Sequence, residues 1–144
     1  MAAGEAYAWR LSLERAREVL RAAFDELTFE EVGRGQQSAD PARFGDVVLA
    51  RKDVPTSYHL ATANDDALQE VTHIVRGDDL FASTSVHVLL QVLMGWPTPV
   101  YRHHALLLDE AGKRFAKRDK SVTLRAMRKE GHTADDIRRL AGLQ

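Results

Sequence analysis

Several features that define common protein classes are absent from this sequence of 144 residues. It has no cysteine, which excludes disulfides, thiol catalysis and thiolate zinc sites and fits a reducing compartment. No apolar run approaches the roughly 18–20 residues needed to cross a bilayer, and the start, MAAGEAYAWR, lacks the basic and apolar regions of a signal peptide. These absences predict a cytoplasmic protein with no membrane segment.

The sequence also lacks the short motifs of familiar catalytic sites. It contains no glycine-rich phosphate loop, no G-x-S-x-G and no H-x-G-H. Asp65 and Asp66 could together hold Mg²⁺, but adjacent side chains on a helix diverge by about 100°, which makes shared chelation poor. The histidines have no metal-binding spacing with a carboxylate and are better explained as core or surface residues: His59, His73, His87, His103, His104 and His132. We therefore predict no metal site.

Composition and charge describe a single globular domain. The chain is 44% hydrophobic and 28% charged, with a net charge of −1. The charges are unevenly distributed, because residues 101–130 hold nine Lys or Arg against four Asp or Glu, whereas residues 64–79 hold five carboxylates and one cation. Opposite charges thus occupy separate segments.

The first part of the chain predicts a helix followed by short strands. Ser12 is a good N-cap, and apolar residues at three- and four-residue steps predict a helix over 12–27. Segments 28–32 and 45–53 carry β-branched residues between turn residues and predict two strands. The segment between them, GRGQQSADPARFG, predicts a loop.

The rest of the chain alternates between helices and strands. A helix of about three turns from Ser57, with a strand as the alternative, precedes a predicted strand over 71–77. A helix capped at Ser83 or Thr84 and ended by Gly95 precedes a strand over 100–109. A helix ended by Gly131 and a short last helix, which begins with a capping box of Thr133 and Asp136, complete the chain. This order predicts crossover units on a parallel sheet, and hence an α/β fold.

Tyr58 and Arg76 form the first candidate site. Both the helical and the hairpin alternative for residues 58–76 bring the two side chains together, near the end of a strand where α/β proteins bind ligands. An arginine there can hold a carboxylate with two hydrogen bonds, and a tyrosine hydroxyl can hold a neighbouring polar group. The simpler alternative is that Arg76 pairs with Asp78 or Asp79 on the surface.

The stretch GKRFAKRDKS (112–121) is the second candidate, with five cations and one carboxylate. In a connection between a strand and a helix, Lys117 could stabilise the negative charge that develops on a phosphate during phosphoryl or nucleotidyl transfer. A solvated basic surface is the alternative. The apolar pair Phe115 and Ala116 inside the run favours a loop that packs against the protein.

Two longer stretches resemble the class I glutamyl-tRNA synthetase family, and most closely its short, queuosine-modifying branch. They are SYHLATANDDALQEVTHIVRGDDL (57–80) and VLMGWPTPVYRHHALLLDEAGKRFAKRD (92–119), and the likeness extends over roughly residues 45–120, with YAWRL (7–11) also similar. The implied fold is α/β, the C-terminal half of a Rossmann-like class I synthetase catalytic domain with short C-terminal helices. Within one partial catalytic domain (1–144), residues 1–52 would form a connecting helix and short strands, 53–120 the second half of the nucleotide-binding fold, and 121–144 the C-terminal helices.

The resemblance also implies roles for individual residues. Tyr58 and Arg76 match the family's glutamate-contacting tyrosine and arginine, and Lys117 matches the second lysine of its ATP-contacting signature. The implied reaction is attack of glutamate on the α-phosphate of ATP, with Mg²⁺ accompanying the ATP, followed by transfer to tRNA. The full signature loop matches Arg114, Phe115, Ala116, Lys117 and Arg118.

Departures from the family pattern shape the functional expectation. Arg114 and Ala116 replace the signature's first lysine and its serine, and the family's ATP-binding histidine motif, first glutamate contacts and zinc-binding cysteines have no counterpart here. We therefore expect the chain alone to be inactive and to need a separate N-terminal half. The short ending favours transfer to tRNA(Asp) over tRNA(Glu), although a glutamyl-tRNA synthetase fragment remains an alternative. A third alternative is a non-catalytic relic that binds RNA or protein through residues 101–130, with salt-sensitive affinity.

Overall fold

The computed structural model describes residues 7–53, 55–108 and 123–142, which fall into two compact units. The first unit extends to His104 and the second begins at Ala105. No helix in the described part of the chain is long and apolar enough to cross a bilayer.

A four-stranded mixed sheet forms the centre of the first unit. Its strands are β2 (Thr28–Glu31), β3 (Gly35–Ser38), β5 (His73–Gly77) and β6 (Val100–His104), in the order β3-β2-β6-β5. Strand β6 pairs in parallel with both β2 and β5, whereas β2 and β3 form an antiparallel hairpin. A separate antiparallel pair consists of β1 (Ala8–Arg10) and β4 (Val48–Arg51). The predicted α/β class with parallel pairing is confirmed.

Helix α3 (Tyr58–Leu68) and helix α4 (Thr84–Met94) alternate with β5 and β6 as predicted. The Oγ of Ser57 accepts from the backbone N–H of Leu60 (3.3 Å) and caps α3, which settles the helix-or-strand alternative in favour of the helix. Gly95, with φ of 68°, ends α4 in the left-handed conformation that favours glycine. Helix α4 is buried along most of its length and forms one wall of the core.

Helix 12–27 differs from its prediction, because it is broken into α1 (Leu13–Leu20) and α2 (Ala22–Asp25). Arg21 interrupts it with φ of 52°. The break lets the Arg17 guanidinium lie 4.3 Å from the centre of the Phe24 ring while bonding Asp25 at 2.6 Å. Because Ala16 and Phe24 are both buried in the same core, the apolar spacing is that of a continuous helix and does not reveal the break.

The segment predicted as a loop, 33–45, is also different. It contains β3 and a short 3-10 helix, Pro41–Phe44. Strand β3 carries two glutamines and no apolar alternation, so only its backbone pairing with β2 identifies it as a strand. Of the segment predicted as a strand over 45–53, only β4 is a strand. The strand predicted over 100–109 is shorter than expected, because β6 ends at His104.

The core of the first unit lies between the sheet, α1, α2 and α4. At its aromatic centre Phe29 makes edge-on ring contacts with Tyr101 and Phe81, with ring centroids 5.5 and 5.6 Å apart. The largest buried apolar contributions come from Phe24, Leu27, Phe29, Val88, Leu89 and Tyr101. Burial of such side chains is the main source of stability for the unit, at roughly 1.5–3 kcal/mol for each.

The second unit contains two short helices within its described part, α5 (Leu124–Lys129) and α6 (Ala134–Leu140). The predicted capping box is confirmed: Thr133 Oγ1 accepts from the Asp136 backbone N–H, and the Asp136 carboxylate accepts from the Thr133 backbone N–H (2.9 Å). The Thr133 hydroxyl also donates to the Asp136 carboxylate (2.6 Å), and this bond, followed by the bond from the Thr133 backbone N–H, holds the pKa of the Asp136 carboxyl below its usual value.

Candidate functional site

A buried arginine occupies the carboxyl end of β5. Arg76 is only 9% exposed. The parallel pairing of β5 with β6 places it directly beside His103. The surface alternative from the sequence therefore does not hold for Asp78, whose carboxylate pairs with Arg34 instead (3.2 Å). Arg76 lies at the edge of the sheet where α/β proteins bind ligands.

Most of the N–H groups of Arg76 are bonded within the protein. Its Nε donates to His103 Nε2 (3.0 Å), and one terminal nitrogen, Nη1, donates to His87 Nδ1 (3.3 Å). The other, Nη2, donates to Thr84 Oγ1 (2.5 Å) and to the Leu80 carbonyl (3.4 Å). Because a guanidinium has five N–H donors, these contacts leave one N–H on Nη1 for another acceptor.

Glu31 supplies the negative charge that balances Arg76. Glu31 is 1% exposed, and its carboxylate accepts from the backbone N–H of His103 (2.7 Å) and from His103 Nδ1 (2.8 Å). Since Arg76 donates to the other ring nitrogen, that nitrogen carries no proton, and His103 is neutral. The carboxylate and the guanidinium are thus linked through an imidazole ring and not by direct contact, which avoids the high cost of an unpaired buried charge.

His87 and His59 extend the same network toward α3. His87 is fully buried, and its Nε2 lies 3.0 Å from His59 Nδ1. Burial, with smaller contributions from Arg76 and His59, lowers the pKa of His87 to about 3. Burial and the Arg76 charge also lower the pKa of His59. Both rings are therefore neutral at pH 7.

Tyr58 also contacts the ring of His87. It is the first residue of α3, is 53% exposed, and has its ring centroid 5.8 Å from that of His87. Tyr58 and Arg76 thus both lie against one histidine ring, that of His87. Their contact with glutamate stays a prediction.

A hollow of about 490 Å³ adjoins Tyr58 and His59. Its polar lining includes Arg10, Asp46, Arg51 and Ser57. Arg10 is held by a hydrogen bond to the Asp46 carbonyl (2.8 Å), and Arg51 lies 3.7 Å from the Asp53 carboxylate. This hollow carries polar and cationic groups that suit a ligand with oxygen acceptors.

The second predicted site lies outside the described residues. Arg114, Phe115, Ala116, Lys117 and Arg118 fall within 109–122, so the role expected of this loop toward ATP stays a prediction. Within the described ranges, no group of three or more His, Asp or Glu side chains is arranged to hold a metal ion.

Sequence reasoning missed five members of the network around Arg76. Period-two alternation along the strands could have signalled two of them, because Glu31 shares a strand face with the apolar Phe29, and His103 shares one with Tyr101. A polar residue in line with aromatic core residues is a buried polar group that needs a partner. The missed residues are Glu31, His59, Thr84, His87 and His103.

Parallel strands carry a charged, buried cluster at their carboxyl ends, the edge at which α/β domains bind ligands. The model of the family described as "tRNA synthetases class I (E and Q), catalytic domain" matches residues 9–141. The chain therefore belongs to this family, and the expectations of family and fold are confirmed.

Individual relatives agree with this assignment. The chain is 52% identical over 128 residues to a glutamyl-Q tRNA(Asp) synthetase of Rhodobacter capsulatus, an alignment that covers 84% of this chain and 46% of the relative. It is 34% identical over 137 residues to a glutamate–tRNA ligase of Finegoldia magna, covering 95% of this chain and 26% of that protein. This chain thus spans less than half the length of either relative.

A solved structure gives the same result. A glutamate–tRNA ligase of Elizabethkingia meningosepticum, in complex with its amino acid, superimposes with a TM-score of 0.56 at 27% identity. The superposition covers 85% of this chain and 25% of that one.

Proposed function

We propose that this chain is part of a glutamyl-queuosine tRNA(Asp) synthetase, which activates glutamate with ATP and transfers it to a modified base of tRNA(Asp). The identity of 52% with the relative from Rhodobacter capsulatus supports this choice of acceptor. Glutamate and ATP as substrates follow from the family that the chain belongs to.

The observation that carries the proposal is the buried Arg76 with Tyr58 beside it. Glutamate carries two carboxylates, and a preorganised cation with an N–H still available is a suitable partner for one of them. The surrounding bonds to His103, His87 and Thr84 hold the guanidinium in place, so little side-chain entropy is lost when glutamate binds. The Tyr58 hydroxyl would provide a second, exposed polar contact.

The chemistry requires two transfers. An oxygen of the glutamate carboxylate attacks the α-phosphorus of ATP, the bond to the β-phosphate oxygen breaks, and pyrophosphate leaves. An acceptor hydroxyl on the tRNA then attacks the glutamyl carbonyl carbon, and AMP leaves. Lys117 is proposed to offset the charge that grows on the phosphates in the first transfer, with Arg114 to Arg118 forming the loop that carries it.

Magnesium is proposed to enter with ATP as part of the substrate. We assign no residue of this chain to the ion, because the described residues include no grouping of carboxylates or histidines suited to it. The role of this chain's own residues is to bind and orient glutamate and to balance phosphate charge.

Pyrophosphate exchange with ATP and glutamate tests the proposal. We expect no exchange by the chain alone, because its sequence contains no H-x-G-H motif. Exchange should appear after mixing with the portion of the Rhodobacter capsulatus relative that this chain does not match. It should fall with Arg76→Lys and Lys117→Ala, and should persist with the matched control Arg102→Lys, since Arg102 is exposed on the neighbouring strand.

The outcome that contradicts the enzyme assignment is salt-sensitive RNA binding with no exchange in any mixture, which the relic alternative predicts. Transfer of labelled glutamate then identifies the acceptor. Queuosine-containing tRNA(Asp) should be labelled and tRNA(Glu) should not. The opposite result would favour a glutamate–tRNA ligase, the alternative supported by the relative from Finegoldia magna.

A further inference from the structure

The hydrogen bonds around Arg76 form one continuous series. It runs from Glu31 through His103, Arg76 and His87 to His59. We propose that this series is a relay of fixed direction, in which His87 and His59 are positioning residues for Arg76 and His59 presents an N–H donor at its far end. The inference deepens the proposed function, on which its last step rests.

The direction of the relay is set by the arginine. A guanidinium has N–H donors and no acceptor, so each imidazole nitrogen that Arg76 contacts must be an unprotonated acceptor. The contact at 3.3 Å therefore makes His87 Nδ1 an acceptor. A neutral His87 then carries its proton on Nε2.

The same reasoning passes to His59. Because His87 Nε2 carries the proton, it donates across the 3.0 Å contact to His59 Nδ1, which must be an acceptor. A neutral His59 then carries its proton on Nε2. Protonation of either ring would set two donors against each other, which agrees with the lowered pKa of both histidines.

The relay gives His59 a defined chemical character. On an imidazole the two nitrogens face different directions, so the Nε2–H of His59 is directed away from His87. Among the described residues no acceptor contacts that nitrogen, and His59 lines the hollow with Arg10 and Ser57. The His59 N–H and the Arg10 guanidinium line the same hollow. Together they favour a ligand that presents an acceptor oxygen, such as that of a carboxylate, carbonyl or phosphate, over a ligand that presents an N–H or O–H donor.

The relay also explains why Arg76 is held so firmly. Three of its nitrogen atoms each have an acceptor, and two of those acceptors are histidine nitrogens whose partners, Glu31 and His59, fix the ring orientation. The arrangement resembles the support of a metal-bound histidine by a carboxylate, with an arginine in place of the metal. Loss of one link should loosen the guanidinium.

Nuclear magnetic resonance of the histidine ring nitrogens tests the direction without requiring activity. In the unmodified chain at pH 7, His87 and His59 should each show a protonated Nε2 and an unprotonated Nδ1, and for His87, whose pKa is lowered to about 3, this should persist at pH 5. The exposed His73 on β5 serves as the reference. A protonated Nδ1 on His87 or His59 at pH 7 would overturn the proposal.

Two substitutions test the positioning role. His87→Gln retains one acceptor for Arg76 and one donor for His59, whereas His87→Leu has neither. We expect the hydrogen-exchange rate of the Arg76 Nη1 N–H groups to rise about tenfold in His87→Leu, the change expected for one lost hydrogen bond, and to stay near the original in His87→Gln. Equal rates in the two variants would overturn the positioning role, and His73→Leu is the matched control.

The last step uses pyrophosphate exchange in the mixture described above. His87→Gln should retain most of the exchange, and His87→Leu should lose about tenfold, chiefly as a higher KM for glutamate. If the ring nitrogens and the Arg76 exchange rates behave as expected but no mixture exchanges pyrophosphate, the relay stands and the proposed function fails. If pyrophosphate exchange occurs but His87→Gln and His87→Leu support it equally, the proposed function stands and the relay fails.

Discussion

The substitution Glu31→Gln tests the charge balance of the buried cluster. The glutamine carbonyl could still accept one bond from His103, but its amide NH₂ would face the second donor. His103 cannot relieve this conflict by moving its proton to Nε2, because the Arg76 N–H occupies that side. The variant therefore loses one charge-assisted bond and leaves Arg76 without its buried counter-charge.

The expected loss of stability can be estimated from these two effects. A hydrogen bond to a charged group contributes roughly 1.5–3 kcal/mol, and breaking a buried ion pair costs roughly 3–5 kcal/mol. Because the two charges of Glu31 and Arg76 are separated by a ring, we take the lower part of this range, about 3 kcal/mol. For a chain of this size that corresponds to a fall in Tm of about 10 °C.

Urea and thermal denaturation followed by circular dichroism measure this loss. Glu30→Gln is the matched control, since Glu30 is the exposed neighbour on the same strand and should change the free energy of unfolding by less than about 0.5 kcal/mol. If Glu31→Gln lowered the free energy of unfolding by no more than Glu30→Gln does, the charge-balance argument would be refuted. Combining Glu31→Gln with Arg76→Met should cost less than the sum of the two, because no unpaired charge would remain.

Three further predictions concern pH and helix ends. His87, with its pKa lowered to about 3, binds fewer protons in the folded chain than in the unfolded one, so stability should fall as the pH drops from about 6.5 toward 3, by up to about 1.4 kcal/mol per pH unit. His87→Gln should flatten that dependence in urea denaturation at pH 7.5, 6 and 5; an unchanged slope would contradict it. Gly95→Ala should cost about 1 kcal/mol from backbone strain alone, since an added Cβ meets nothing within 4 Å, and an unchanged Tm would count against this. Ser57→Ala should cost about 1 kcal/mol by removing the N-cap of α3, measured by the same denaturation, and a neutral result would mean that the cap contributes nothing.

Local features of the fold were predictable from the sequence. The capping box of Thr133 and Asp136 and the stop at Gly95 depend on residues a few positions apart, and both are present. The break at Arg21 was not predictable, because the apolar spacing continues through it. Strand β3 was missed because its glutamines carry no apolar alternation and its identity comes from pairing with β2.

The candidate site likewise has features that the sequence predicts and features that it does not. The placement of Tyr58 at the start of α3 and of Arg76 near the end of β5 follows from the crossover between a helix and the next strand, which the sequence pattern indicates. The contact of Glu31 with His103 joins residues 72 positions apart and depends on the pairing of β2 with β6. Alternation along each strand can mark Glu31 and His103 as buried, but spacing along the chain does not encode their pairing, so this contact emerges only from the three-dimensional arrangement.

Strand β5 is the last strand of the described sheet, and on that side none of the described strands pairs with it. It carries an apolar side chain, Val75, that is 66% exposed. Backbone groups along such a border are available to a strand from another molecule. Association of this kind would make apparent stability rise with protein concentration, so the denaturation experiments should be compared across a dilution series.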